Sequence, residues 1–180
     1  MRLIRSPPER RARRAVRIPI GVLAILVCAL LIRAASAPAD TGRIHGTTSG
    51  TSDVGADQPA LLELGSGTAL SFRVAESGTA AIFFTAECSV ASTDTTTWLD
   101  VTILVDGIPA PGTDGDDAFC TSSGTGTDNR WVSVGRDAVV ELDPGVHSVE
   151  VEAVLQGFDA GESWRIDDKT LFVLVDEGQP

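Results

Sequence analysis

The sequence predicts an all-β protein: a single antiparallel β-sandwich or jelly roll of about eight strands, behind an N-terminal signal or anchor helix and a flexible tether. Three observations carry this reading. Apolar residues after residue 40 recur with a period of two, the alternation of strands with one buried face. Turn residues separate most of these runs. No segment after residue 40 carries an apolar stripe at helical spacing.

The chain opens in a different style. Residues 1–17 hold seven arginines, and residues 18–32 (IPIGVLAILVCALLI) hold no charge. A basic flank, a short apolar run and a small-residue stretch from Arg33 to Ala39 are the parts of a secretory signal peptide. Cleavage after Ala37-Pro38-Ala39 would leave Asp40 first, whereas Ala35-Ser36-Ala37 would leave Pro38 first. As a helix the apolar run spans about 22 Å, short of a hydrocarbon core about 30 Å thick. That favours cleavage over an uncleaved membrane anchor at residues 1–39. Both readings place the rest of the chain outside the cytoplasm, secreted or anchored at the cell surface. A membrane is touched only through the N-terminal segment, if it stays.

Residues 40–57 (DTGRIHGTTSGTSDVGAD) are rich in Gly, Ser and Thr, with Ile44 and Val54 as the sizeable apolar groups. So little apolar surface cannot offset the entropy of ordering, and the expectation is a flexible linker. The sandwich is then expected over residues 58–177, with a tail at 178–180.

Within it, Leu70, Phe72 and Val74 alternate with Ser71 and Arg73. Ser77-Gly78 turns the chain into Thr79–Cys88, where Ile82, Phe84 and Ala86 share a face and Phe83 points the other way, as in a strand covered on both sides. In Trp98–Asp106, Leu99, Val101, Ile103 and Val105 oppose Trp98, Asp100 and Thr102. Asp106-Gly107 ends that run. Two short strands, Arg130–Val134 and Ala138–Leu142, are expected around Gly135-Arg136. Asp143-Pro144-Gly145 makes a turn, after which His147, Val149, Val151, Ala153 and Leu155 alternate with polar residues. Ser163–Ile166 and Lys169–Val175 close the chain.

Cysteine use agrees with export. Cys28 lies in the apolar run, which leaves Cys88 and Cys120 as one expected disulfide in an oxidising compartment. Closing a loop of about 33 residues contributes roughly 3–4 kcal/mol on the chain-entropy model.

After residue 39 the chain has six basic and 24 acidic residues, a net charge of −18. Such a surface repels phosphate backbones, which excludes nucleic acid as a partner.

The stretches GTAAIFFTAECSV, WLDVTILVDG, VVELDPGVHSVEVEAV and WRIDDKTLFVLV resemble the jelly-roll head domains of the C1q/TNF-like type, over about residues 60–175. Immunoglobulin-like sandwiches share the PG-x-H-x-V element. The resemblance implies a trimeric recognition or adhesion head, a homotrimer acting on a protein or glycan at the cell exterior, and not an enzyme.

Three groups of side chains are candidates for chemistry. Asp114, Asp116 and Asp117 crowd one loop around Gly115, and closely spaced carboxylates on a tight turn suit Ca²⁺; the alternative is a solvated charge run. No cofactor is required by any motif. By strand parity Trp98 and Trp131 point away from the core, with Asp100 beside Trp98. Exposed indoles with a neighbouring carboxylate would make a carbohydrate-binding platform; the alternative is that they pack in the core or an interface. His147 falls on the inward parity of its strand and reads as a half-buried histidine bonded to backbone, since the sequence nominates no catalytic partner. Nucleophile elbow, zinc-protease and phosphate-loop motifs are absent. The expected function is a non-enzymatic exported domain acting in binding or assembly. A carbohydrate-binding accessory module is the alternative, and a small two-carboxylate hydrolase a third reading.

Overall fold

A computed structural model describes residues 42–56, 58–115, 117–127 and 130–177. The chain divides into two units, Met1–Ala39 and Asp40–Pro180. The signal or anchor at 1–39, the tail at 178–180 and Asp116 lie outside the described residues.

Eleven strands follow one another: β1 (Arg43–Ser49), β2 (Asp53–Gly55), β3 (Ala60–Leu61), β4 (Ala69–Val74), β5 (Gly78–Ala91), β6 (Trp98–Val105), β7 (Ile108–Pro109), β8 (Cys120–Thr121), β9 (Val132–Leu142), β10 (Gly145–Gln156) and β11 (Ser163–Glu177). They form two antiparallel sheets. The first runs β1-β11-β5-β9, with β2 also on β11. The second runs β3-β10-β6-β7, with β4 also on β10 and β8 also on β6. The fold is an all-β sandwich, as the period-two pattern requires. The count exceeds the expected eight because β2, β3, β7 and β8 have only two or three residues each, too short to show a period.

The core lies between the sheets. Ile82, Phe84 and Cys88 of β5, Ile166, Leu171 and Val173 of β11, Leu99, Val101 and Ile103 of β6, and Val149 and Val151 of β10 are fully buried. Alternation builds the interior in β5, β6 and β10, whereas β11 needs the irregularity described below. A disulfide joins Cys88 of the first sheet to Cys120 of the second, with Cα atoms 6.4 Å apart, within the usual span of such bonds.

Three expectations are corrected. Residues 40–57 are not simply a tether: β1 pairs with β11 over seven positions, Arg43↔Val175 to Ser49↔Lys169, and β2 pairs with it over Asp53↔Ile166 to Gly55↔Trp164. Composition could not show this, because the order comes from main-chain pairing to a long neighbour and from partners distant in sequence, Phe72 stacked on His45 and Lys169 on Asp53. Ile44 and Val54 stay exposed. Second, Gly135-Arg136 does not divide two strands: β9 is continuous, and Gly135 pairs with Thr85. Third, Phe83 is not covered on both sides; it is 37% exposed and stacks on Phe172.

One irregularity fixes how β11 lies. Its pairing with β5 shifts between Asp167 and Thr170, and Asp168 takes φ 45°. Ile166 and Leu171 differ in parity, yet both face the core. The bulge restores the inward face that a regular strand would have lost. It also turns Lys169 inward. Its side chain is wholly buried, and its ammonium donates to the Thr51 carbonyl and the Asp53 carboxylate.

Candidate functional site

Of the acidic loop, Asp114 and Asp117 are among the described residues and Asp116 is not. Asp114 and Asp117 are exposed, and Asp117 lies 3.9 Å from the guanidinium of Arg136. Among the described residues no group of three or more His, Cys, Asp or Glu side chains could hold a metal ion.

The tryptophans separate by environment. Trp164 is buried. Trp98 is half-buried, and its indole Nε1 is enclosed with no hydrogen-bond acceptor among the described residues. Its ring lies against Gly157, where a Cβ would come 3.2 Å from Trp98 Cζ3. Trp131 is 40% exposed. The two indoles form no ring pair among the described residues. Asp100 keeps the outward parity beside Trp98 but is 4% exposed and within 3.5 Å of the Arg136 Nη2. Buried and beside the Arg136 guanidinium, Asp100 presents little surface to a ligand. Trp98 and Asp100 lie on β6, while Trp131 stands just before β9. The loop carrying Asp117 reaches Asp100 through their shared neighbour Arg136.

A different constellation forms at the other end of β6. Asp106 and Gly107 take φ 52° and 77°, and Val105 pairs with Ile108 around them. This is the two-residue hairpin that Asp-Gly favours, with both central residues left-handed. The turn aims Asp106 at β10. Asp106 Oδ1 accepts from the Ser148 amide at 2.8 Å, and Oδ2 lies 2.7 Å from His147 Nδ1. His147 Nε2 lies 2.8 Å from the Asp143 carbonyl, in the two-residue crossover between the sheets. Both partners of the ring are acceptors, so only the imidazolium, with a proton on each nitrogen, satisfies them together. The hydrogen bond to Asp106, then the one to the Asp143 carbonyl, raise the His147 pKa above its ordinary 6.5. Burial alone would raise Asp106, but the bonds from His147 and Ser148 outweigh it and hold its carboxyl below the usual range.

Around this pair opens a groove of about 600 Å³. Ile108 and Pro109 of β7 line one side, and Val139 and Glu141 of β9 the other. Asp106, Asp143 and His147 also line it. Ile108 is 68% and Val139 59% exposed. The turn signals Asp106-Gly107 and Asp143-Pro144 were visible in the chain. Their convergence on His147 depends on topology, since β9 belongs to one sheet and β6, β7 and β10 to the other.

A second polar knot closes the opposite end of β6. The Ser92 hydroxyl donates to the Glu162 carboxylate, and the Asp159 amide donates to it at 2.8 Å. These bonds, the one from Ser92 first, hold the Glu162 pKa low. The Thr96 amide likewise lowers Asp94. Thr97 Oγ1 lies 3.1 Å from Glu162 and 3.0 Å from the Gly157 carbonyl. The knot staples the β5–β6 loop to the β10–β11 loop.

No family profile matches this chain, so the C1q/TNF-like resemblance has no support beyond a shared β-sandwich. No curated protein matches it. Among solved structures, a native family 35 carbohydrate-binding module from Clostridium thermocellum is similar over 73% of this chain and 97% of that one, at 18% identity and a TM-score of 0.31. A likeness that slight carries no argument about the ligand.

Proposed function

We propose that the folded domain is an exported, non-catalytic binding module that takes a neutral glycan in the groove beside His147. The observation that carries this reading is the composition of the groove. Ile108, Pro109 and Val139 offer apolar surface to the carbon faces of a sugar, while Glu141 and Asp143 stand ready to accept its hydroxyl hydrogens. A volume of about 600 Å³ is in the usual range for small-ligand sites. The carboxylates and the net charge of −18 after residue 39 disfavour acidic sugars. This moves the carbohydrate reading from Trp98, Asp100 and Trp131 to another part of the sandwich. The inter-sheet disulfide supports placement outside the cytoplasm.

The chemistry of the groove speaks for binding over hydrolysis. Both ring nitrogens of His147 are engaged. Both oxygens of Asp106 are engaged as well, and Glu141 Oε1 accepts from the Thr79 hydroxyl at 3.0 Å. The carboxyls with displaced pKa values (Asp94, Asp106, Glu162) all move down, whereas a glycosidase acid must be raised.

The test is affinity electrophoresis and titration calorimetry of residues 40–180 against neutral oligosaccharides. Retention that weakens at least about tenfold, roughly 1.4 kcal/mol, in Ile108→Ser and Val139→Ser but survives Trp131→Ala is the expected result. Loss on Trp131→Ala alone would return the site to the tryptophan. No retention on any neutral polysaccharide would end the glycan reading.

A further inference from the structure

Lys169 stands apart from the other basic residues of the chain. Every other one, thirteen in all, is arginine. Arginine is also the usual choice for a buried ion pair, because its planar fork matches a carboxylate and its charge is weakly hydrated. Yet among the described residues the fully buried basic side chain is the lysine. What lysine offers and arginine does not is a nitrogen that becomes a nucleophile once it gives up a proton. The bulge at Asp168 turns that nitrogen inward, and β2, paired with β11 at Ile166, brings Asp53 to it. As an ammonium the nitrogen carries three protons. The described residues offer it two acceptors, the Thr51 carbonyl and the Asp53 carboxylate. An amide nitrogen in the same place carries one proton, and the Thr51 carbonyl is placed to accept it. An amide also removes two buried charges, whose lost hydration an ion pair offsets only with difficulty.

From this arrangement we propose that Lys169 and Asp53 condense into an isopeptide bond that links β11 to β2. The ion pair is the state before the bond closes. The proton that the ammonium shares with Asp53 Oδ2 passes to that oxygen. The freed lone pair of Nζ attacks Cγ, and the carbonyl electrons move onto Oδ1. The Glu63 amide lies 3.4 Å from Oδ1 and faces the charge that develops there. Collapse of the tetrahedral centre breaks the Cγ–Oδ2 bond, and Oδ2 leaves as water with a second proton from Nζ. One C–N bond forms, one C–O bond breaks, and no other reactant is consumed. Asp53 keeps 17% exposure, which gives the water a way out. Folding holds amine and carboxyl in contact, so the step is intramolecular and its entropy cost is met in advance. The bond joins residues 116 apart and pins β2 to the closing strand. It involves no residue of the groove, so it stands independently of the glycan reading.

Because the chain has a single lysine, a lysine-specific endoproteinase gives a direct test. Residues 40–180, which carry the entire core, are purified without an added lysine, weighed intact by mass spectrometry, then reduced, denatured and digested. The expected parent chain is lighter than its sequence by one water, beyond the hydrogens lost in the disulfide, and resists the enzyme at Lys169. Trypsin should release from it one branched peptide joining residues 44–73 to residues 166–180. Asp53→Ala has no carboxyl to condense. It should show its full mass and be cut after Lys169. Both readings are taken on unfolded chains, so they do not depend on how stable the variant is. A parent chain of full mass, or one cut to completion at Lys169, would overturn the inference. So would a loss of water that leaves Lys169 cleavable, which would place the dehydration at an Asp-Gly step such as Asp106-Gly107, or an Asp53→Ala chain that stays resistant.

Discussion

At His147 the fold selects one protonation state. The ring sits between the Asp106 carboxylate and the Asp143 carbonyl, its side chain only 12% exposed. Its pKa is raised in the folded state, so its contribution to stability is complete below the unfolded value of 6.5 and is lost as pH rises through the folded value. Thermal melts across that window should show the parent protein losing more stability above pH 6.5 than His147→Asn does; parallel curves would refute the assignment. Lys169 is a stricter case. It is the sole lysine in the chain, buried against Thr51 and Asp53. Asp53 keeps 17% exposure and can partly rehydrate. Lys169→Met should therefore cost about 3 kcal/mol, the lower end for a broken buried pair, read as a shift in denaturant midpoint at constant slope. Gly55 is constrained by contact and not by backbone. A Cβ there would fall 2.3 Å from Trp164 Cζ2. Gly55→Ala must displace the indole or detach β2, at about 1–3 kcal/mol, and near-ultraviolet circular dichroism should register the moved Trp164.

Among the elements, the long strands were legible and the dependent ones were not. β5 over Ala80–Cys88 and β10 over Val149–Leu155 bury every second residue, β6 buries Asp100 and Thr102 as well as its apolar residues, and Ile82, Phe84, Leu99, Val101, Val149 and Val151 could be placed inward from the chain alone. β1 could not, because Thr47, Thr48 and Gly46 announce no buried face. What orders it is the free edge of β11 and one lysine 118 residues away from Thr51. The bulge at Asp168 was equally hidden, since two runs of opposite parity look like two strands until the inward face is seen to continue. The candidate site was half legible for the same reason. Asp106-Gly107 and His147 each stood out, but their contact joins residues 41 apart across two strands. A consequence can be tested at this scale. A chain beginning at residue 58 keeps every residue of the expected sandwich, yet loses β1, β2 and Asp53. It should melt well below a chain beginning at residue 40 and aggregate on concentration, because β11 then exposes a long unpaired edge. Equal melting temperatures and equal solubility would show that β1 is dispensable.

On the scale of the whole domain, the disulfide and the packing around it answer different questions. Cys88 lies in the first sheet and Cys120 in the second, 32 residues apart in sequence. The segment between them includes β6 and the long β7–β8 connection. That connection is held by other means as well: Thr113 bonds the Ile103 amide at 3.1 Å and the Ala110 carbonyl at 2.9 Å, and the Phe119 ring packs 5.7 Å from Phe84. Removing the bond therefore leaves the native contacts standing and releases the unfolded chain. The double variant Cys88→Ala, Cys120→Ala should fold to the same sandwich and lose about 3 kcal/mol, a fall of roughly 10 °C for a domain of this size. His147 and its groove lie beyond the opposite end of β6, so the pH dependence assigned to His147 should persist unchanged in the variant. If the variant instead lost that dependence, or failed to fold at all, the disulfide would be holding the native arrangement of the sheets and not merely restricting the unfolded chain.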